Sequence, residues 1–328
     1  MHRRRYLVLA GAVLVAGCPS SDDGDGTPTE PSTEPPTETE TPTTRTQTTT
    51  TETPTTTDTE SATETTTETP EGPQNPAQAL RHASDGIATA LDRYVAQGDE
   101  ATSITAVGPA TIGFEAAPIH AALDDAVAPL DMVDQSGREE QQRDADELRT
   151  ASQWVRVAAT MQAGMSRTVR RVERVGTLAA ERAEYATLLD RTEAARGPIE
   201  EILAAKPNLD RPGPRTFKQV EGIDRDTVDE KHYGLHREAV AFESFDGVLE
   251  DTIVEIQRLE TASEYIAEDE ADDAESAAER ADSRLANLRR RADGLNPKSF
   301  SAVATVYADA VEELQAIAAE LDDQAEDL

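Results

Sequence analysis

The side chains best suited to ligand chemistry lie in the segment DEKHYGLHRE, which begins at Asp229. His232 and His236 are four residues apart, so a helix would place both imidazoles on one face, where they could share a metal ion. Asp229 or Glu230 could add an oxygen ligand, but Gly234 weakens the helix and no third ligand has a defined place. A polar face at the start of a helix is the simpler interpretation, and metal ligation is the alternative.

No catalytic motif accompanies this segment. The sequence lacks a Gly-x-Ser-x-Gly elbow, a Walker loop, a dinucleotide-binding glycine pattern and a His-Glu-x-x-His pair. We therefore predict that the chain is not an enzyme and uses no cofactor. Two alternatives stay open: a ligand- or metal-binding sensor that uses residues 207–238 and, third, an unrecognised all-α enzyme.

The only cysteine, Cys18, ends an apolar run that follows Arg3, Arg4 and Arg5. The run is about 13 residues long, and a helix of that length reaches about 20 Å, short of the roughly 30 Å hydrocarbon core of a bilayer. A charged start, a short apolar centre and small residues before the cysteine are typical of an export signal, not of a permanent membrane span.

Val15, Ala16, Gly17 and Cys18 resemble a lipobox, the cleavage and lipidation site of lipoprotein signal peptides. The resemblance implies that residues 1–17 are removed and that a lipid on the Cys18 sulfur holds the protein at the membrane. One short acyl chain binds membranes only marginally, so the resemblance also implies a two-chain lipid.

Arg3, Arg4, Tyr6 and Leu7 resemble a twin-arginine export signal, which addresses folded proteins across the membrane. Together the two motifs are similar to those of twin-arginine-exported lipoproteins of halophilic archaea. The resemblance implies a lipid-anchored protein on the extracellular side of the cell membrane. It covers about 18 residues and says nothing about the rest of the chain.

A Thr-rich segment separates this N-terminus from the remaining sequence. From Thr27 to Pro70 about half of the residues are Thr, and Glu and Pro supply most of the others. This composition cannot bury enough apolar surface to offset the entropy lost on ordering, so we predict a disordered stalk, with or without O-linked sugars. The predicted regions are a cleaved signal peptide (1–17), the lipidated cysteine with its stalk (18–75) and a folded acidic domain (76–328).

The formal net charge is −34 at pH 7, and the acidity is not confined to the stalk. The first 75 residues contain 13 acidic and 4 basic side chains, which leaves 52 and 27 for the folded region. Nucleic-acid binding needs a basic face, so the charge argues against that partner. Abundant Asp, Glu and Ala with only four Lys resemble proteins of halophilic archaea, in which molar salt limits the repulsion to a range of about 3 Å.

Residues 76–328 show helical periodicity almost throughout. Apolar residues recur at steps of three and four through 242–266, 274–295 and 300–321, and short connections join these runs. We predict an all-α domain, an antiparallel bundle of about six to eight helices after a disordered N-terminal region. A helix break is predicted at Gly197-Pro198, and the stretch near 207–234 could subdivide the domain.

These features predict a membrane-anchored lipoprotein that presents a helical binding or scaffold domain at the cell surface. Its expected partners are the membrane, through the lipid on Cys18, and a protein of the cell envelope. No nucleic acid is expected.

Overall fold

The computed structural model describes residues 72–296 and 298–328. Within these ranges the chain forms eight α-helices and no β-strand, so the predicted all-α class is confirmed. Short 3-10 turns lie at Ile104–Ala106, Lys206–Asn208 and Lys298–Phe300. The helices are α1 (Pro76–Val95), α2 (Ala117–Val127), α3 (Leu130–Ser136), α4 (Glu139–Ala180), α5 (Tyr185–Ala205), α6 (Arg225–Ala267), α7 (Ala271–Asp293) and α8 (Ser301–Glu326).

The predicted signal and anchor lie outside the described residues, as does the stalk apart from its last four residues. The predictions for these segments therefore stay predictions. They concern Arg3, Arg4, Tyr6, Leu7, Val15, Ala16, Gly17 and Cys18.

α4 is the central helix of the domain, because it contacts α1, α2, α3, α5, α6 and α8. Its apolar stripe is correspondingly wide, as a helix that is buried on several sides requires. Two glycines allow close crossings: Gly164 lies against Ile202 of α5, and Gly176 lies against Ala310 of α8. A Cβ atom at Gly176 would lie 3.0 Å from the Cα of Ala310, so these two helix backbones nearly touch.

Two prolines affect their helices in opposite ways. Pro129 has no N–H for the helical hydrogen-bond ladder, and the chain divides there into α2 and α3. The predicted break at Gly197-Pro198 is wrong, because α5 runs through both residues. Pro198 deprives the Ala194 carbonyl of its usual donor, but Arg171 Nη1 of α4 donates a hydrogen bond to that carbonyl instead.

The three C-terminal helices follow the apolar runs of the sequence. α7 packs against both α6 and α8, and short turns join the three helices as antiparallel neighbours. The buried residues of α7 are mainly Ala, which permits close approach of its partners. A buried aromatic cluster joins α6 to α8; its members are Phe242, Phe245, Phe300 and Tyr307.

The chain between α5 and α6 is irregular after the turn Lys206–Asn208, but it packs onto the helices. Phe217 and Val220 are buried, and the Phe217 ring meets Trp154 of α4 edge-on with the ring centroids 5.5 Å apart. Asp224 ends the irregular chain, because its side chain accepts a hydrogen bond from the Thr227 N–H (2.8 Å) and caps α6. This loop therefore shares the hydrophobic core of the helices.

Candidate functional site

A pocket of about 610 Å³ lies beside the two histidines predicted as ligands. It is formed by the end of α5, the turn Lys206–Asn208, the chain that follows and the N-terminal half of α6. His232 and His236 lie one helical turn apart on its α6 side, with their ring centroids separated by 4.7 Å. The structure thus brings the predicted pair together at a concave surface. The other lining residues are Leu203, Lys206, Pro207, Leu209, Asp210, Arg211 and Glu243.

His232 is the buried member of the pair, with 5% of its surface exposed. Burial lowers the pKa of its imidazole, and the neighbouring His236 lowers it further. The shift favours the neutral ring, which is the form that ligates metal ions. Its Nδ1 is buried and has no hydrogen-bond partner among the residues that the structure describes. The Nε2 of His236 lies 3.3 Å from the Leu209 carbonyl oxygen.

Two of the carboxylates near the pair are already matched with cations. Asp229 Oδ2 lies 2.9 Å from Arg211 Nη2 and 3.5 Å from Arg225 Nε, and the hydrogen bond from Arg211 lowers the pKa of Asp229. Glu243 Oε2 lies 3.3 Å from Lys206 Nζ. Over the described ranges, no three His, Cys, Asp or Glu side chains are grouped so that they could hold a metal ion. A metal bound by the two imidazoles would need its other ligands from solvent or from a bound molecule.

A second polar centre lies inside the bundle and was missed by sequence reasoning. Lys231 is 4% exposed, and its Nζ donates to the Val107 carbonyl (2.6 Å) and to Gln162 Oε1 (3.0 Å). The ammonium also lies 5.4 Å from the centre of the Tyr94 ring. The amide nitrogen of Gln162 is also bonded, because Nε2 donates to the Gly108 carbonyl (2.6 Å). Burial lowers the pKa of Lys231 to about 8.

Glu238 lies two helical turns beyond Lys231 and belongs to the same interior. It is 6% exposed, and its charge acts against the burial effect by raising the pKa of Lys231. Its Oε1 accepts a hydrogen bond from Ser299 Oγ (2.8 Å). Its Oε2 is buried without a partner in the part of the chain that the structure describes. These bonds join α6 to α4, to residues 107–108 and to the turn before α8, so they define the register of α6 in the bundle.

The sequence contains only a weak signal for this polar centre. Gln162 falls at helical spacing from Ala158 and Met165 in an apolar stripe, where a polar side chain needs a buried partner. Lys231 stands among acidic residues and has the pattern of a surface charge. Its partners Val107 and Gln162 are 124 and 69 residues away, so no local pattern could identify them.

The comparisons with known proteins give no family for this chain. No model of a protein family, no curated protein and no solved structure matches it. No helix within 72–296 and 298–328 is both long and apolar enough to span a bilayer. The function has to be inferred from the residues of the chain itself.

Proposed function

We propose that the chain is a membrane-anchored lipoprotein on the extracellular side, whose helical domain binds a partner protein at the cell envelope and catalyses no reaction. The order of features along the chain carries this proposal. Val15–Cys18 ends an apolar run that is too short to span a bilayer, and the first helix of the described residues begins at Pro76. The intervening segment of roughly 55 residues is predicted to be a free coil, which would reach about 40 Å and hold the domain away from the membrane.

The described residues support a compact binding module. The eight helices share one hydrophobic core, and few large apolar side chains are exposed on the described surface. Recognition on such a surface relies on charged and polar side chains, and its rate and specificity depend on salt. The exposed large apolar residues are Ile112, Tyr233, Val240, Val254 and Leu328.

Replacement of Cys18 by Ser tests the anchor. The wild-type protein should sediment with membranes and lose its domain when protease is added to intact cells. The Cys18→Ser protein should be recovered in the soluble or medium fraction, because the sulfur that carries the lipid is gone. Ser20→Ala is the matched control and should behave as wild type. Membrane retention of Cys18→Ser, or protection of the wild-type domain from protease, would contradict the proposal.

Cross-linking on intact cells tests the binding role. The full protein is compared with a deletion variant that ends at residue 75 and keeps the anchor and the stalk. We expect a partner that is cross-linked only when the helical domain is present. If the deletion variant recovers every cross-linked protein equally well, the helical domain does not take part in the interaction.

The pocket beside His232 and His236 favours a second candidate function, a sensor domain that binds a metal ion or another ligand. The favouring observation is the adjacent imidazole pair, in which the buried Nδ1 of His232 is unpaired within the described structure. Two imidazoles one turn apart suit zinc, with the remaining positions left to water or to a bound molecule. Residues 207–238 contribute much of the pocket, which is the region that the sequence singles out.

Zinc titration followed by calorimetry, with the protein in molar KCl, tests this second function. We expect saturable binding that the double change His232→Ala and His236→Ala abolishes. The control is His82→Ala, because His82 is an exposed histidine of α1. Absence of zinc binding by the wild type, or equal binding by the double variant, would exclude zinc at this pair.

A further inference from the structure

Four arginines line one cleft between α4 and α5, in a chain whose net charge is −34. The cleft has a volume of about 440 Å³, which is within the range of small-molecule pockets. None of its lining residues is acidic. It is therefore a strongly cationic concavity on an acidic protein. The lining residues are Arg170, Arg171, Arg174, Leu178, Thr187, Arg191 and Ala194.

These arginines differ from the arginines that join helices elsewhere in the domain. Arg149 and Arg182 each approach a carboxylate oxygen to 2.6 Å, on Asp134 and Glu320 respectively. A guanidinium in such a pair has its charge matched by a hydrogen-bonded anion. Its donors are used within the protein.

The carboxylates near the cleft lie farther away. Arg174 Nη2 is 3.9 Å from Glu181, and Arg191 Nε is 3.8 Å from the adjacent Asp190, both beyond hydrogen-bond distance. Arg170 is exposed and makes no ion pair or hydrogen bond within the described residues. Three guanidinium groups of the cleft thus retain most of their donors for a ligand.

The fourth arginine is fixed by the backbone of α5. Arg171 Nη1 donates to the Ala194 carbonyl, which Pro198 leaves without its helical donor. This bond holds one guanidinium at the wall of the cleft and ties α4 to α5 at the same place. A side chain that is already ordered loses less entropy when it binds a ligand.

We propose that this cleft binds a small multivalent oxyanion of the phosphate or sulfate class. The planar guanidinium fork matches the oxygens of such an anion in bidentate fashion, and donors come from both helices. Arg170 and Arg174 lie one turn apart on α4, and Arg191 and the Thr187 hydroxyl lie one turn apart on α5. The bound anion would relieve the repulsion between the four positive charges.

The charge of the whole chain favours a small ligand over an anionic membrane surface. A net charge of −34 repels a membrane that carries acidic lipids, whereas a small anion can enter the cleft alone. In molar salt the attraction between the arginines and an anion acts only over about 3 Å. Recognition therefore depends on direct hydrogen bonds at contact. The proposal is independent of the lipid anchor and of the histidine pocket.

Calorimetric titration of the full protein with sodium pyrophosphate, and separately with sulfate, in 1 M KCl tests the proposal. We expect one saturable site for pyrophosphate. The double change Arg170→Gln and Arg174→Gln should weaken binding about tenfold or more, because charge-assisted hydrogen bonds are lost. Vesicles of phosphatidylglycerol at matched phosphate concentration should not bind.

The matched control is the double change Arg280→Gln and Arg284→Gln on α7. These two arginines are exposed, have the same spacing of four residues and remove the same charge. Their replacement should leave pyrophosphate binding unchanged. If the α4 double variant loses its helical circular dichroism spectrum, Arg191→Gln on α5 provides an independent test and should also weaken binding.

Three results would overturn the proposal. The first is no saturable pyrophosphate or sulfate binding by the wild type. The second is equal weakening by the α4 and α7 double variants, which would show a general charge effect. The third is binding to the vesicles without binding to pyrophosphate, which would assign the cleft to a lipid surface.

Discussion

Helix α6 passes through two interiors of opposite chemistry. Near its N-terminus it places Lys231 and Glu238 in the polar centre, where both side chains are almost fully buried. One turn later Phe242 and Phe245 enter the aromatic cluster. The ring centroids of Phe242 and Phe245 lie 5.1 and 5.4 Å from that of Phe300, in edge-to-face contact.

The turn before α8 contributes to both interiors. Ser299 donates to Glu238 in the polar centre, and the next residue, Phe300, packs in the aromatic cluster. Burial of the phenylalanine rings is favourable at every pH, because these rings carry no titratable group. Burial of charged groups costs free energy. Only the hydrogen bonds that form in one register of α6 offset this cost. We therefore expect the aromatic cluster to supply stability and the polar centre to supply register and pH sensitivity.

The largest expected effect tests the aromatic cluster. Phe245→Ala removes a ring that is 0% exposed and touches Phe242, Phe300 and Tyr307. The lost burial and the cavity left behind should lower the free energy of unfolding by about 3–5 kcal/mol. Urea unfolding in molar KCl, followed by circular dichroism, measures the change.

Val254→Ala is the matched control on the same helix, because 46% of the Val254 surface is exposed. It should change the free energy of unfolding by no more than about 0.5 kcal/mol. A cost below about 1 kcal/mol for Phe245→Ala would mean that the aromatic cluster does not carry the stability of this half of the domain.

The next largest effect tests the polar centre through its pH dependence. The pKa of Lys231 is about 8 in the folded protein against an ordinary value of 10.5. Between these values the unfolded chain keeps a proton that the folded protein has released, so the free energy of unfolding rises with pH in this window. The rise due to Lys231 should amount to about 2–3 kcal/mol between pH 8 and pH 10.5.

Replacement of Lys231 by Met should remove this rise, and Lys218→Met should keep it because Lys218 is exposed. The measurement is urea unfolding of the three proteins at several pH values from 7 to 10.5, in constant molar KCl. The difference between the Lys231→Met and wild-type curves isolates the contribution of Lys231 from the repulsion of the acidic surface. Parallel curves for these two proteins would show that Lys231 keeps its ordinary pKa inside the domain.

The same division explains how much of the fold could be predicted from the sequence. The apolar steps through Phe242 and Phe245 predicted α6 because aromatic burial follows local helical spacing. The predicted break at Pro198 is wrong because Arg171, from a different helix, donates to the carbonyl that proline leaves free. A tertiary contact therefore satisfies the carbonyl that the local rule leaves without a donor.

The candidate sites were predictable only where their residues are close in the chain. His232 and His236 share one turn of α6, so their spacing was sufficient to pair them. The polar centre joins Lys231 to Val107 and Gln162, and the cationic cleft joins two helices, so both required the packing of the domain. Distant polar pairs leave no periodic pattern.

A smaller effect is expected when one tyrosine from each interior loses its hydroxyl. Tyr307→Phe removes a hydroxyl that lies 2.7 Å from Thr252 Oγ1, while Thr252 keeps its bond to the Val248 carbonyl. The expected cost is about 1 kcal/mol in the free energy of unfolding. Tyr94→Phe should cost less, because its hydroxyl lies 3.3 Å from Gln162 Oε1. A larger cost for Tyr94→Phe, measured by the same urea unfolding, would assign more stability to the polar centre than to the aromatic one.

The smallest effect concerns the surface pair Arg291–Asp251, which bridges α7 and α6 outside both interiors. Both side chains are 51% exposed, so water and salt screen their attraction and holding two flexible side chains costs entropy. Arg291→Gln should therefore change the free energy of unfolding by less than about 0.5 kcal/mol. Leu285→Ala on the same helix, which removes a side chain of 0% exposure, should cost about 2–5 kcal/mol in the same assay. A reversed order would mean that surface charge, and not the packed interior, holds α7 to α6.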